Sequence, residues 1–429
     1  AVSECIGSED FYQVQHRLIF EHINRAVQKN TPFDVLTLSE SIGSDHPDVS
    51  LAYLSELANQ TPSVSNVKAY AEIIREHAIK RQLLQASIKT ADAIYDNQEN
   101  AQILLDQAES AIFAISESGA RAQGGPESVQ KIVPSVVEQL DHIMNSKDGI
   151  TGTSCGFKDL DESLSGLQAS DLIIVAGRPS SGKTLLSMNI AENIAMSNEH
   201  PALIFSMEMS SDQVVRRFIS SISNIDLQRL MRGQLADTDW QGIDKALSVL
   251  SKKKILLDDT PALSPSEVKA RARRVKRESG DLAMIVVDYL QLMQVPGKGE
   301  NRVAEISEIS RSLKALAKEL NIPVIAISQL NRAVDSRPNK RPILSDLRDS
   351  GAIEQDADVI AFLYRHFYYD KSDLDARGKA EVNIAKQRNG PTKAIEVAFL
   401  ENTATFQNLA QIDRPPPRHY DEEDDPFSP

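Results

Sequence analysis

The stretch Leu172-Ile-Ile-Val-Ala-Gly177-Arg-Pro-Ser-Ser-Gly182-Lys183-Thr184 decides how the chain is read. Its opening is a short, unbroken apolar run, as expected of a strand buried on both faces. Gly177 to Thr184 match G-x-x-x-x-G-K-[ST], and a helical stretch follows. The glycines let backbone N–H groups turn inward to cradle phosphates, and the helix N-terminus adds a favourable dipole. Gly177, Ser180, Ser181, Gly182, Lys183 and Thr184 are therefore the expected nucleotide-binding residues, for ATP. Lys183 is placed to neutralise the β- and γ-phosphates, and the Thr184 hydroxyl to hold Mg²⁺.

Outward from this loop, apolar runs rich in Val and Ile recur at 171–176, 202–207, 254–258, 282–287, 322–327, 358–363, 381–385 and 395–400. Helical stretches lie between them, and two carry start signals, Ser264-Pro-Ser-Glu267 and Thr238-Asp-Trp-Gln241. Such alternation predicts a mainly parallel sheet with helices on both faces. A phosphate loop needs a carboxylate for the metal at the end of a neighbouring strand, and Met284-Ile-Val-Val-Asp288 supplies it. Glu208 follows a strand expected beside the loop strand and is the candidate for orienting the attacking water. Gln329, at the tip of Ile322–Ser328, is placed to sense the γ-phosphate. Two further segments read as functional loops, the basic stretch from Leu330 to about Asp349 and Val295–Arg302. Lys386 and Arg388 stand beyond another strand, before the turn Asn389-Gly-Pro391; a plain surface turn is the alternative there.

The rest of the 429 residues sets bounds. No apolar run approaches the roughly 18 residues that cross a bilayer. Two distant cysteines, Cys5 and Cys155, fit a reducing cytoplasm. The net charge of −14 argues against coating DNA by bulk attraction but leaves room for local basic loops in a channel. The basic run Lys269–Arg277 reads as the solvated face of a helix. Residues 1–118 read as helical, with two amphipathic stripes, Tyr70 to Ile94 and Leu104 to Ile115, forming a hairpin about a polar turn at Asp96–Asn100. A Gly-rich linker, Ser118–Pro126, and a short linker helix fill 119–155. The catalytic domain spans 156–412, and Arg414-Pro-Pro-Pro-Arg418 with Asp421–Asp425 marks 413–429 as a flexible acidic tail.

From about Cys155 to Ala410 the chain resembles the motor domain of the bacterial replicative DNA helicases, the DnaB family. The resemblance rests on the phosphate loop, Phe205–Ser210, Ile285–Leu292, Ile309–Leu316, Ser328–Arg332, Arg348–Asp358 and Lys386–Pro391, in that order. It implies an α/β RecA-like P-loop motor domain after a small all-α domain, six subunits in a ring, and ATP sites between neighbours. It further implies that Lys386 and Arg388 reach the neighbour's γ-phosphate, with Arg388 as the finger. Arg348, Asp349 and Gly351 are then expected to hold single-stranded DNA in the pore, and Arg217 to contact the nucleotide. Primase and a helicase loader are the implied partners. The family's N-terminal domain normally begins with further helices, so the helical domain is expected to be incomplete at its start. A recombinase-like filament ATPase shares this core but leaves the N-terminal hairpin unexplained. A non-hydrolysing nucleotide-binding scaffold shares it too, but would want Glu208 or Asp288 replaced.

Overall fold

The computed structural model describes residues 5–29, 31–43, 46, 48–60, 66–96, scattered positions in 100–141, and 149–409 apart from 253 and 296–301; at 348–350 it describes only the backbone. Two compact units result, Ala1–Glu138 and Gln139–Pro429.

The first unit is helical: α1 (Val14–Gln28), α2 (Val35–Ile42), α3 (Leu51–Gln60) and α4 (Val67–Asp96). Asp34 starts α2 by accepting the Thr37 N–H at 2.8 Å. Leu38, Ile42, Val49 and Leu54 form a small core with Ile19, Ile23 and Val35 against it. The 3.6-residue stripe does form one helix, α4, but Ile73 and Leu84 are 52% and 61% exposed. Only Ala71 and Ala78 of α4 are buried, because a 30-residue helix, about 45 Å long, outreaches so small a core. The described positions of the second stripe, among them Leu104 and Ile112, are helical, as are those from Val129 to Asp141. The turn residues 97–99, the linker 118–126, residues 296–301 and the tail 413–429 lie outside the described residues.

The second unit is built on a nine-stranded sheet in the order β3-β2-β4-β5-β1-β6-β7-β8-β9. The parallel part is β1 (Leu172–Gly177), β2 (Ala202–Ser206), β3 (Ile255–Asp258), β4 (Met284–Asp288), β5 (Val324–Gln329) and β6 (Val359–Tyr364). β7 (Lys379–Gln387), β8 (Lys393–Leu400) and β9 (Thr405–Asn408) extend it antiparallel. Alternate residues of one strand go to opposite faces. Ile173 and Val175 pack in one core with Leu186, Ile190 and Ile194 of α6 (Lys183–Ser197), which follows the short helix α5 (Lys158–Leu164). Leu172, Ile174 and Ala176 pack in the other core, with Val268 of the helix Pro265–Ser279 and Leu313 of the helix Arg302–Leu320.

Three local expectations change. β2 does not lie beside β1, nor does β4: β4 and β5 stand between β2 and β1, and β5 alone between β4 and β1. An apolar run reports burial and carries no information about which strand it pairs with. After α7 (Ser211–Ser223), helix α8 (Asp237–Lys252) starts ahead of Thr238; the residue before it, Ala236, donates its N–H to the carboxylate of Asp239 in the first turn at 2.7 Å. The Ser264 box does open α9 (Pro265–Ser279), Glu267 accepting the Ser264 N–H at 2.7 Å. The basic run on α9 is solvated only in part: Arg274 and Arg277 are exposed, but Lys269 and Arg273 pair with Glu319 of α10 (Arg302–Leu320), and Arg271 pairs with Asp258 at 2.6 Å. β9 went unforeseen, since Thr405-Phe-Gln-Asn408 has too little apolar character to read as a strand.

Candidate functional site: a phosphate cleft and two distant cations

β1 delivers its last residue, Gly177, into the loop, and α6 leaves from Lys183. A Cβ on Gly177 would sit 2.7 Å from Ser181 Oγ and 3.0 Å from the Leu363 carbonyl, so only glycine lets the loop close this tightly. Gly182 has φ +102°, and a Cβ there would come within 2.9 Å of the Phe406 ring. Ser180 also has a positive φ, 64°, a conformation that L-residues adopt at a cost and that functional loops retain. Lys183 Nζ donates to the Arg178 carbonyl at 3.0 Å, lying across the loop. Burial pushes this lysine down to about 8, although Asp288 and Glu208 face it.

Asp288 ends β4 with 1% exposure, and neither carboxylate oxygen has a complete hydrogen bond. Burial pushes it up to about 6; Glu208 adds to the rise, while the Thr184 hydroxyl, Lys183 and Arg217 oppose it. A buried, unsatisfied carboxylate facing a hydroxyl beside a phosphate loop suits a hard cation that takes oxygen ligands. Among the described residues no cluster of three or more His, Cys, Asp or Glu could hold a metal, so the remaining ligands of Mg²⁺ would be phosphate and water.

Parallel pairing sets Ser206 of β2 opposite Asp288 of β4, so Glu208, two residues on, projects beside the buried acid. Gln329 ends β5 in register with Gly177. Its N–H donates to Gln291 Oε1 at 3.2 Å, and Gln291 Nε2 donates to Ser328 Oγ at 3.0 Å. Arg217, from α7, completes the far wall, its guanidinium pushed down by burial and drawn up by Asp288 and Glu208. Ser180, Gly182, Lys183, Thr184, Glu208, Arg217, Asp288 and Gln329 thus line one cleft of about 360 Å³. Gly177 and Ser181 shape the loop's inner turn behind it.

Two residues of this site were missed. Gln291 follows Asp288 closely enough in sequence for a search of strand ends to have found it. Arg365, just past β6, also lines the cleft; its guanidinium stacks 3.7 Å over the Phe399 ring and approaches Glu401 at 3.4 Å. A lone arginine after an apolar run was the only signal.

The structure does not bring Lys386 and Arg388 here. β7 runs antiparallel to β6, with Gln387 opposite Val359, and Val359 pairs with Ile173 near the start of β1. The cations therefore sit at the edge of the sheet opposite the phosphate loop, separated by the run of β1 from Ile173 to Gly177, roughly 13 Å. Lys386 Nζ donates to the Ala357 carbonyl at 2.7 Å, and Arg388 Nη2 to the Gln355 carbonyl at 3.0 Å. Arg348 and Asp349 lie in the backbone turn Leu344–Ser350, and exposed Gly351 opens α11 (Gly351–Asp356); among the described residues, none of this segment lines the cleft. The loop from Leu330 is not structureless. Arg178 pairs with Asp335 at 2.7 Å, Arg337 with Asp346 at 2.6 Å and Arg341 with Glu381 at 2.9 Å.

A phosphate loop after β1, acids at the tips of β2 and β4 and a glutamine at the tip of β5 define a RecA-like P-loop ATPase. The family description "DnaB-like helicase C terminal domain" matches residues 152–408, and "DnaB-like helicase N terminal domain" matches residues 1–76. The replicative DNA helicase DnaB of Haemophilus influenzae is 44% identical over 418 residues, covering 96% of this chain and 89% of the relative. That of Geobacillus stearothermophilus is 43% identical over 411 residues, covering 95% and 90%. A solved DnaB-like replicative helicase, described with its interactions with primase, superposes with a TM-score of 0.74 at 30% identity, covering 95% of this chain and 96% of that one. A second solved structure, an ATPase domain on its own, matches with a TM-score of 0.63 at 35% identity, covering 67% of this chain and all of that one. The chain belongs to the DnaB family of replicative DNA helicases, and its reaction is ATP-driven DNA unwinding. No helix among the described residues is long and apolar enough to cross a membrane.

The Asp288 carboxyl offers a test that needs no substrate. Its folded pKa, about 6, stands above the ordinary 3.8, so ionisation costs the nucleotide-free chain stability as pH rises between those values. Asp288→Asn should therefore unfold at higher denaturant than the parent at pH 8, by on the order of 2 kcal/mol, with the gap narrowing toward pH 4. A less stable variant at pH 8 would show that the carboxylate is satisfied in the free chain.

Proposed function

We propose that six copies of this chain form a ring that moves along single-stranded DNA, with Mg²⁺ and ATP bound between neighbours. The observation that carries this reading is the placement of Lys386 and Arg388 across the sheet from their own cleft, where a second subunit's phosphates are the fitting target. In the cleft, Lys183 neutralises the β- and γ-phosphates, Arg217 contacts the nucleotide, and Thr184 and Asp288 hold the metal. When bound, Mg²⁺ supplies charge compensation for the phosphates. Glu208 orients the attacking water. Gln329, held through its backbone by Gln291, reports the state of the γ-phosphate toward the loop that begins at Leu330. Arg388 completes charge neutralisation from the neighbouring subunit, with Lys386 beside it.

Arg348, Asp349 and Gly351 hold the strand backbone in the pore. Gly351 supports this in one respect: among the described residues nothing lies within 4 Å of where a side chain would stand, which leaves room for a backbone to approach. The chain is read as 1–118 helical domain, 119–155 linker, 156–412 motor and 413–429 tail. Primase and a loader are proposed partners, the first supported by the solved relative described with primase. A helicase of the bacterial fork works in the cytoplasm.

Lys183→Ala should abolish ATP turnover because phosphate charge goes unneutralised. Glu208→Gln should keep nucleotide binding and lose turnover by about a hundredfold or more. Parental turnover in Glu208→Gln would remove that residue from the chemistry. Negative-stain images with ATP and single-stranded DNA should show closed rings; open filaments would favour the recombinase-like reading.

Arg348→Ala should weaken single-strand binding about equally across sequences. It should also flatten the dependence of log K on log salt by about 0.7 per lost phosphate contact. Unchanged affinity and slope would take this loop out of the DNA site.

A further inference from the structure

Asp358 stands where α11 gives way to β6, with a side chain 5% exposed. One carboxylate oxygen, Oδ2, accepts the Leu172 N–H at 2.8 Å and the Lys314 ammonium of α10. The other, Oδ1, faces Arg388 Nε at 3.4 Å, while the Asp358 main-chain carbonyl accepts the Arg388 N–H at 3.0 Å. β1 and α10 thus fix the carboxylate, and its second oxygen is left to the guanidinium. The Gln355 carbonyl, in the last turn of α11, takes Nη2 of the same arginine, and no hydrogen bond to Nη1 is seen among the described residues. Lys386 is seated on that helix end as well, through Ala357 and Glu354. Carbonyls at a helix C-terminus favour cations.

We propose that Asp358 is the positioning residue of Arg388, holding its guanidinium in one orientation at the subunit's edge. The inference rests on the trans reading of Arg388 given above. An unrestrained arginine would have to be ordered at each catalytic encounter, and that ordering costs side-chain entropy in the transition state. Asp358 removes the cost beforehand by holding Nε and the backbone N–H. Asp358 touches no nucleotide of its own subunit: its contacts lie at the end of the sheet away from the phosphate loop.

The test is a double-mutant cycle on the full chain, read as steady-state ATP turnover with saturating single-stranded DNA. Asp358→Asn should lower kcat about tenfold and leave the KM for ATP within about twofold. In an Arg388→Ala background the same change should alter turnover by less than about twofold, because residues acting through one another are not additive. Lys314→Met removes the other charge on Asp358 while leaving the arginine contact, and should stay within about threefold of parental turnover. Should Asp358→Asn fail to fold, Asp358→Glu keeps a charge for Lys314 while displacing it from Nε, and enters the same cycle. Parental kcat in the single variant overturns the inference, as do losses that multiply in the double variant or a Lys314→Met that reproduces the full loss. Parental turnover in Arg388→Ala itself would instead bring down the trans reading, and this inference with it.

Discussion

The direction of the strands is the constraint on which the site depends. β1, β2, β4 and β5 run parallel, so the residues that end them emerge along one edge of the sheet. That edge gathers the phosphate loop, Glu208, Asp288 and Gln329 from stretches spread between Gly177 and Gln329 in sequence. The antiparallel turn into β7 has the opposite consequence. It returns the chain to the starting edge of β1 and leaves Lys386 and Arg388 there. One sheet thus presents an anion-binding cleft on one edge and a pair of cations on the other, which is the polarity a head-to-tail ring requires.

Electrostatics within the cleft are balanced for a guest rather than for the free chain. Lys183 and Arg217 are partly stripped of water, and the Asp288 carboxylate is buried with only the Thr184 hydroxyl facing it as a donor among the described residues. Each is less comfortable than it would be on the surface. A nucleotide triphosphate with its cation would answer both defects: phosphate oxygens would meet the lysine and arginine, and the cation would meet the carboxylate. The glycines serve the same end: at Gly182 both the left-handed backbone and the Phe406 ring exclude a side chain.

How much of this was legible in the sequence follows from how local each feature is. The phosphate loop is eight contiguous residues, and its meaning needs only a strand before it and a helix after it. The two acids and Gln329 were legible because each ends an apolar run, where parallel sheets place their chemistry. Which strand lies beside which was not, because pairing is decided by long-range packing; hence the misplaced neighbours of β1. Arg365 and Gln291 escaped for a related reason, since their roles appear only when β6 and the segment after β4 are brought against the loop. The stripe of α4 showed the converse. Its period gave the helix correctly, but a period says nothing about whether a partner surface is within reach.

Arg388 bound to Asp358, and Lys386 seated on the helix that Gly351 opens, make the cation edge a braced structure. Its use by a neighbouring subunit is the central claim, and one mixture tests it. Arg388→Ala subunits keep the phosphate loop, and Lys183→Ala subunits keep Arg388, so in the proposed ring a mixture would contain interfaces in which an intact loop meets an intact Arg388. If the finger acts across the interface, mixing the two inactive proteins should restore measurable ATP turnover, with a maximum at intermediate ratios. Turnover that stays at the level of the separate variants at every ratio, in rings shown to contain both, would contradict the account.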